Sequence, residues 1–278
     1  MKKYLALTLA IVMCLSLFVG CGAKQAEASP EATPAVSPAA SPAAEAAPYD
    51  AAKGQTYVVG TDTTFAPFEF EDDKGNRTGI DYQILNAIAD EMGFKVDWQV
   101  LGFDAAVTAL EAGQVDAVMA GMSITADRQK KYDFSDSYYD SATGVAVAAD
   151  SKVADLDGLK GQTVAVKKGT TGAKYAESLA TDYQLNLVYV KDSATMYTYV
   201  QSGQAVACFE DYPIIQYEIA RGNVKCKVIN QSEDSAPYGF AVLKGNKPEL
   251  VAAFNEGLKR LKDSGNYDEI LSTYFGTK

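Results

Sequence analysis

Arg128 stands in the run Ser123-Ile-Thr-Ala-Asp-Arg128, at the start of a short predicted helix. A guanidinium fork presents paired donors that match a carboxylate, and helix-start amides add positive potential. The same arginine could instead pair on the surface with Asp127 or Asp133. Asp211 follows a short apolar run, where its carboxylate could accept hydrogen bonds from an ammonium group or merely cap the helix that Pro213 opens. Phe65, in Thr-Phe-Ala-Pro-Phe, and Phe103, in Leu-Gly-Phe-Asp, follow strand ends. Rings so placed can sandwich an aliphatic chain or fill a core. Together these groups offer a carboxylate clamp, an ammonium acceptor and two flat apolar walls, the needs of a free α-amino acid.

Other chemistry is narrowed by what the chain lacks. It has no histidine, which removes Ser-His-Asp and Cys-His nucleophiles and histidine-held metals. No metal and no cofactor is expected. Glu210 and Lys167 are the pair that could act as acid and base if an enzyme used this scaffold. The formal net charge of -11 leaves no basic footprint for nucleic acid.

These residues need elements to position them, and from Gly54 the chain alternates short apolar runs with helical patterns, the mark of a parallel α/β sheet. Tyr57 to Val59 reads as a strand. Asp81 is expected to cap a helix whose face is Ile84, Leu85, Ile88, Ala89 and Met92, stopped by Gly93. Val96 to Val100 is the next strand, Phe103 to Ala112 a helix closed by Gly113, and Val115 to Met119 a strand. The pattern returns as strand Thr163 to Val166, helix Ala173 to Ala180, strand Leu185 to Val190, helix Ala194 to Ser202 and strand Val206 to Phe209. Pro213 opens a further helix. Strand Gly239 to Leu243 precedes a helix with Pro248 in its first turn and Leu250, Val251, Phe254, Leu258 and Leu261 on one face, ended by Gly265.

A weak internal repeat runs beneath this order. Leu110 to Ala120 aligns with Val200 to Glu210 through Gly-Gln and a following Ala, and Gly54 to Thr64 echoes Gly161 to Thr171. Two related α/β lobes would explain both. Ligands bind beyond the carboxyl ends of parallel strands, and the turns there, Thr61 to Phe65, Ala120 to Ser123, Lys167 to Thr171 and Glu210 to Asp211, would all face one cleft.

The ends of the chain read differently. Met1-Lys2-Lys3 and the apolar stretch Tyr4 to Val19, closing on Phe-Val-Gly-Cys21, have the layout of a bacterial export signal followed by a lipobox. Residues 1–20 are read as the signal and Cys21 as the lipidated first residue of the mature chain. Residues 22–53, rich in Ala, Pro, Ser and Glu without apolar periodicity, read as a disordered tether. Losing Lys2 and Lys3 would take the charge to about -13. Cys208 and Cys226 remain in the body, either as a disulfide that export permits or as small buried hydrophobes.

The motifs Gly60-Thr-Asp-Thr-Thr-Phe-Ala-Pro-Phe-Glu69, Gly79-Ile-Asp-Tyr82, Ala120-Gly-Met-Ser-Ile-Thr-Ala-Asp-Arg128, Tyr132-Asp-Phe-Ser-Asp-Ser-Tyr-Tyr139 and Lys168-Gly-Thr-Thr171 resemble the polar-amino-acid class of periplasmic-type binding proteins, among them the glutamine-binding proteins. The resemblance covers 54–278 and implies a two-lobed α/β fold, periplasmic binding protein type II, with two hinge crossings. The lobes are expected at 54–146 with 239–278, and at 147–238. It implies that Arg128, Ser123 and the Thr171 amide hold a ligand carboxylate while Asp211 and the Gly121 carbonyl take the ammonium. Phe65 and Phe103 would sandwich the side chain, and Asp62 and Lys167 reach its polar end; Ala120 and Glu210 complete the expected set. Glu210 stands where a glutamine binder carries histidine. The implied partners are the membrane subunits of an ABC permease, reached by a monomer held at the membrane through its lipid. A sensor feeding a signalling receptor is the other non-enzymatic reading.

At the polar end, a Lys167–Glu210 pair would be internally neutral. It would leave Asp62 to accept from an amide while the lysine donates to the amide oxygen. That pattern ranks glutamine first, other polar neutral amino acids second, basic ones third and acidic ones last.

Overall fold

A computed structural model describes residues 46–276. The expected signal, Cys21 and residues 22–45 of the expected tether lie outside the described residues, while its last part is ordered rather than disordered, with Ala52 buried in the core of the first lobe. After a short turn at Pro48–Ala52 come β1 (Thr56–Thr61), β2 (Thr64–Phe65), β3 (Glu69–Glu71), β4 (Arg77–Thr78), α1 (Ile80–Met92), β5 (Lys95–Val100), α2 (Phe103–Glu111), β6 (Ala117–Val118), α3 (Ala126–Gln129) and β7 (Tyr132–Phe134). Next are β8 (Ala142–Ala148), β9 (Thr163–Lys167), α4 (Thr171–Tyr183), β10 (Asn186–Val190), α5 (Ser193–Gln201), β11 (Ala207–Asp211), α6 (Tyr212–Ala220) and β12 (Cys226–Ser235). The chain then adds β13 (Ala241–Leu243), α7 (Pro248–Ser264) and α8 (Asn266–Phe275).

Two mixed five-stranded sheets result, with orders β5-β1-β6-β13-β7 and β10-β9-β11-β8-β12. In each, the first three strands are parallel and the fourth runs against them. The sequence echo falls on equivalent elements: α2 and β6 occupy in one sheet the place of α5 and β11 in the other. The fold is therefore a two-lobed periplasmic-type α/β architecture. β8 already belongs to the second sheet, ahead of position 147, where the sequence reading begins the second lobe.

Apolar periodicity builds the cores. Ile84, Leu85, Ile88, Ala89 and Met92 of α1 are all buried and pack with Leu250, Phe254, Leu258 and Leu261 of α7. Gly93 ends α1 in the left-handed conformation, φ 77°. The expected cap at Asp81 is corrected: Gly79 is the N-cap, and the Asp81 carboxylate is buried within the lobe.

Two crossings join the lobes at 135–141 and 236–240, and they pair with each other. Tyr138 N–H donates to the Tyr238 carbonyl at 3.0 Å, Tyr238 N–H to that of Tyr139 at 2.8 Å and Ala236 N–H to that of Ser141 at 2.6 Å. Tyr138, Tyr139, Tyr238 and Phe68 pack as one aromatic cluster over this junction.

Cys208 and Cys226 are free, buried thiols. They lie on β11 and β12, which flank β8 on opposite sides. Two strand spacings, about 9.5 Å, separate them, beyond what a disulfide spans. Of the two sequence readings, the small buried hydrophobe is the one realised. No helix among the described residues is long and apolar enough to cross a membrane.

Candidate functional site

Four turns at strand ends converge between the lobes. Asp62 and Phe65 follow β1, Ala120, Gly121 and Ser123 follow β6, Lys167 to Thr171 follow β9, and Glu210 and Asp211 end β11. With Phe103 at the start of α2 and Arg128 in α3, residues of all four turns line one narrow cavity between the lobes. Ten of the eleven residues singled out in the sequence form its wall, joined by Thr170. The eleventh, Asp62, is ion-paired to Lys167 of that wall.

Arg128 is 9 % exposed. One guanidinium nitrogen donates to the Ser123 carbonyl at 2.8 Å and the other to the Gly169 carbonyl across the cleft at 3.1 Å. Its proposed surface partners are taken by lysines: Asp127 pairs with Lys130 and Asp133 with Lys244. Burial lowers the guanidinium to about 10, with Asp211 pulling the other way, so it stays charged. The group sits 5.2 Å from the centre of the Phe103 ring.

Asp211 occupies the N-cap position of α6 but makes no capping bond. Its carboxylate instead accepts from Tyr238 Oη at 2.6 Å and Thr171 Oγ1 at 3.4 Å. Burial raises it to about 6 against the pull of Tyr238 and Arg128. Neighbouring Glu210, raised by burial to about 7, accepts from Ser193 Oγ at 2.5 Å and from the Asp211 N–H at 3.0 Å.

The partner of Lys167 corrects the expectation. Its ammonium meets Asp62, not Glu210, at 2.6 Å, and both side chains are almost fully buried. Local geometry explains the choice. Asp62 sits in a tight turn in which Oδ1 accepts from the N–H groups of Thr63 and Thr64 and from Thr64 Oγ1, leaving Oδ2 aimed across the cleft. Both Glu210 oxygens are already engaged. Burial alone would raise Asp62, but Lys167 and these donors hold it below the usual aspartate value. Burial likewise opposes the Lys167 charge, yet Asp62 and Glu210 raise it. Both partners are ionised, and the pair is neutral as a unit.

Phe65 and Phe103 combine the two roles that their sequence context left open. Each is 5 % exposed and belongs to a core cluster, and each also lines the cavity. Gly121 has φ +54°, and a Cβ there would lie 2.4 Å from the Phe65 ring, so only glycine lets the ring approach this backbone.

The lobes are closed on one another. Besides Arg128–Gly169 and Lys167–Asp62, the cleft is bridged by Ser123–Thr171 hydroxyls at 3.3 Å and by Lys168–Asp104 at 2.8 Å. Sequence reasoning missed Thr170, Tyr238 and Ser193. Thr170 is legible as the N-cap of α4, but nothing in the sequence links Tyr238 or Ser193 to a carboxylate distant in the chain.

Comparison with known proteins agrees with this geometry. The lysine/arginine/ornithine-binding periplasmic protein of Escherichia coli is 31 % identical over 83 % of this chain and 91 % of its own. The ABC transporter glutamine-binding protein GlnH of Bacillus subtilis is 30 % identical over 97 % and 96 %. The structure of an ancestral arginine-binding protein bound to glutamine superposes with a TM-score of 0.74 at 32 % identity, covering 80 % of this chain and 98 % of that one. The profile of the bacterial extracellular solute-binding proteins, family 3, matches residues 57–277. With a two-lobed fold, a closed cleft and a cavity of paired charges already in place, that match makes the chain a member of the bacterial extracellular solute-binding proteins, family 3.

Proposed function

We propose that the protein captures a free polar amino acid, with glutamine preferred, and delivers it to the membrane subunits of an ABC importer. Arg128, the Ser123 hydroxyl and the Thr171 amide take the ligand carboxylate. Asp211 and the Gly121 carbonyl take the ammonium. The aliphatic chain lies between Phe65 and Phe103, with Ala120 in the wall, and its polar end meets Lys167, Asp62 and Glu210.

The observation that carries glutamine is the buried Lys167–Asp62 pair. Lys167 has donors to spare for an amide oxygen, and Asp62 has lone pairs for the amide N–H group. A cationic side chain would have to share Asp62 with a buried ammonium. An anionic one would meet Asp62 and Glu210, and burying like charges together is costly. Relatives that bind basic amino acids make this the point to test. In a thermal-shift screen of the standard amino acids, glutamine is expected to give the largest shift, then other polar neutral ligands, then basic and finally acidic ones. A ligand at 100 times its dissociation constant stabilises by about 2.7 kcal/mol. The largest shift from arginine or lysine would overturn the choice of glutamine, and no shift from any would overturn the amino-acid reading.

The proposal includes attachment to the extracytoplasmic face of the membrane through Cys21, which two acyl chains would make stable. Cys21→Ala is expected to release the protein from the membrane fraction or to accumulate precursor. Unchanged mature size and attachment would refute the anchor.

A further inference from the structure

Near Gly121, two carboxyl groups of the first lobe are buried, and neither is ion-paired to a lysine or arginine among the described residues. Glu69 on β3 is 1 % exposed and Asp81 in the first turn of α1 is 0 % exposed. Asp81 Oδ2 accepts from the Gly121 N–H at 2.9 Å and from Tyr138 Oη at 3.0 Å. Asp81 Oδ1 and Glu69 Oε2 are both buried and have no donor, and each carboxyl perturbs the ionisation of the other. Two carboxylates so placed cannot satisfy each other, because both only accept and their charges repel in a dry site. One proton between them removes both problems.

We propose that Glu69 is a neutral acid whose proton is donated to Asp81, and that Asp81, so kept, is a positioning residue that holds the Gly121 backbone for the ligand's ammonium. The second half rests on the amino-acid reading of the cavity; the shared proton does not.

The surrounding groups favour this state. Asp62 adds negative charge near Glu69, Lys167 offsets it only in part because it is committed to Asp62, and the facing hydroxyls are those of Tyr82 and Tyr138. Burial, then the charges of Asp81 and Asp62, push Glu69 well above the usual carboxyl range. Burial likewise raises Asp81 to about 6, while the Gly121 N–H, Tyr138 and Glu69 pull it back. The anchored glycine is the one whose positive φ brings its backbone against Phe65. A shift there would move the ammonium acceptor and one wall together.

The proton has a thermodynamic signature. A carboxyl raised in the fold and ordinary in the unfolded chain takes up a proton on folding. Its stabilising contribution is complete below the unfolded value and is lost as pH rises through the folded one. Chemical unfolding of the purified protein between about pH 5 and pH 8 reads this against Glu69→Gln, whose amide is neutral throughout. The wild-type folding equilibrium is expected to fall relative to that of Glu69→Gln by up to about tenfold per pH unit. A ratio that stays constant across this range would overturn the shared proton. So would a ratio that depends on sodium or calcium concentration, since a cation would then bridge the carboxyls.

Calorimetry with glutamine tests the positioning role. Glu69→Gln keeps a donor for Asp81 and is expected to bind roughly fivefold or more tightly than Glu69→Leu, which leaves Asp81 an unpaired buried acceptor. Equal affinities would overturn the role. Should Glu69→Leu not fold, Asp81→Ala, which removes the acceptor for the Gly121 N–H, serves instead, with an expected loss of about fivefold or more against wild type. A pH-dependent ratio with no amino acid bound would overturn the cavity reading and the positioning role while leaving the proton in place.

Discussion

Alanine in place of Arg128 or Asp211 is expected to weaken glutamine binding by about 30- to several-thousand-fold, from the 2 to 5 kcal/mol typical of truncating one member of a buried charge pair. Much of that loss is the ligand charge left in a dry cleft without its partner. Both side chains are held before any ligand contributes: Arg128 by the Ser123 and Gly169 carbonyls, Asp211 by Tyr238 and Thr171. Little ordering cost therefore remains to be met on binding. Isothermal titration calorimetry checks this, with circular dichroism to establish folding. Losses under about threefold in both variants would remove these residues from the ligand site. Arg128→Ala has a second consequence, because Arg128 also bridges the lobes through Gly169. Its loss should appear largely as faster ligand release.

Lys167→Met is expected to invert ligand preference. Asp62, now without its 2.6 Å partner, would be a buried carboxylate with no countercharge. Breaking such a pair from one side costs about 3 to 5 kcal/mol. An arginine or lysine ligand can return the missing cation, whereas glutamine cannot. Glutamine affinity should fall about 30-fold or more while affinity for basic amino acids rises about tenfold or more, measured by competition calorimetry. Without ligand the variant should also unfold more readily, since Asp62 must either stay charged and unpaired or take up a proton. A variant that still prefers glutamine would mean that the Lys167–Asp62 pair does not set specificity.

Much of the architecture was legible because it is written in short-range patterns. The face of α1, the face of α7 and the stops at Gly93 and Gly265 follow from helical periodicity and left-handed caps, and each recurs in the structure. What escaped was written in long-range pairing. β8 and β12 have few sequence boundaries of their own, and the small sheet of β2, β3 and β4 is made of strands two or three residues long. Residue chemistry was similarly divided. The types at Arg128, Asp211, Phe65 and Phe103 pointed to a zwitterion, yet each also had a bland reading that spacing alone could not remove.

The sequence by itself determined the order of the main alternating strands and helices, the turns at their strand ends and which charged and aromatic groups those turns carry, because these depend on propensity and periodicity over a few residues. Tertiary structure decided the pairing of the charges. Lys167 chose Asp62 because the Thr63 and Thr64 donors occupy one Asp62 oxygen and leave the other facing the opposite lobe, while Ser193 and the Asp211 amide engage Glu210. Asp81 left its expected cap for the interior because Gly121 and Tyr138 present donors there. Coulombic and hydrogen-bond partners act through distance and desolvation, and for groups so far apart in the chain only closure of the fold sets either.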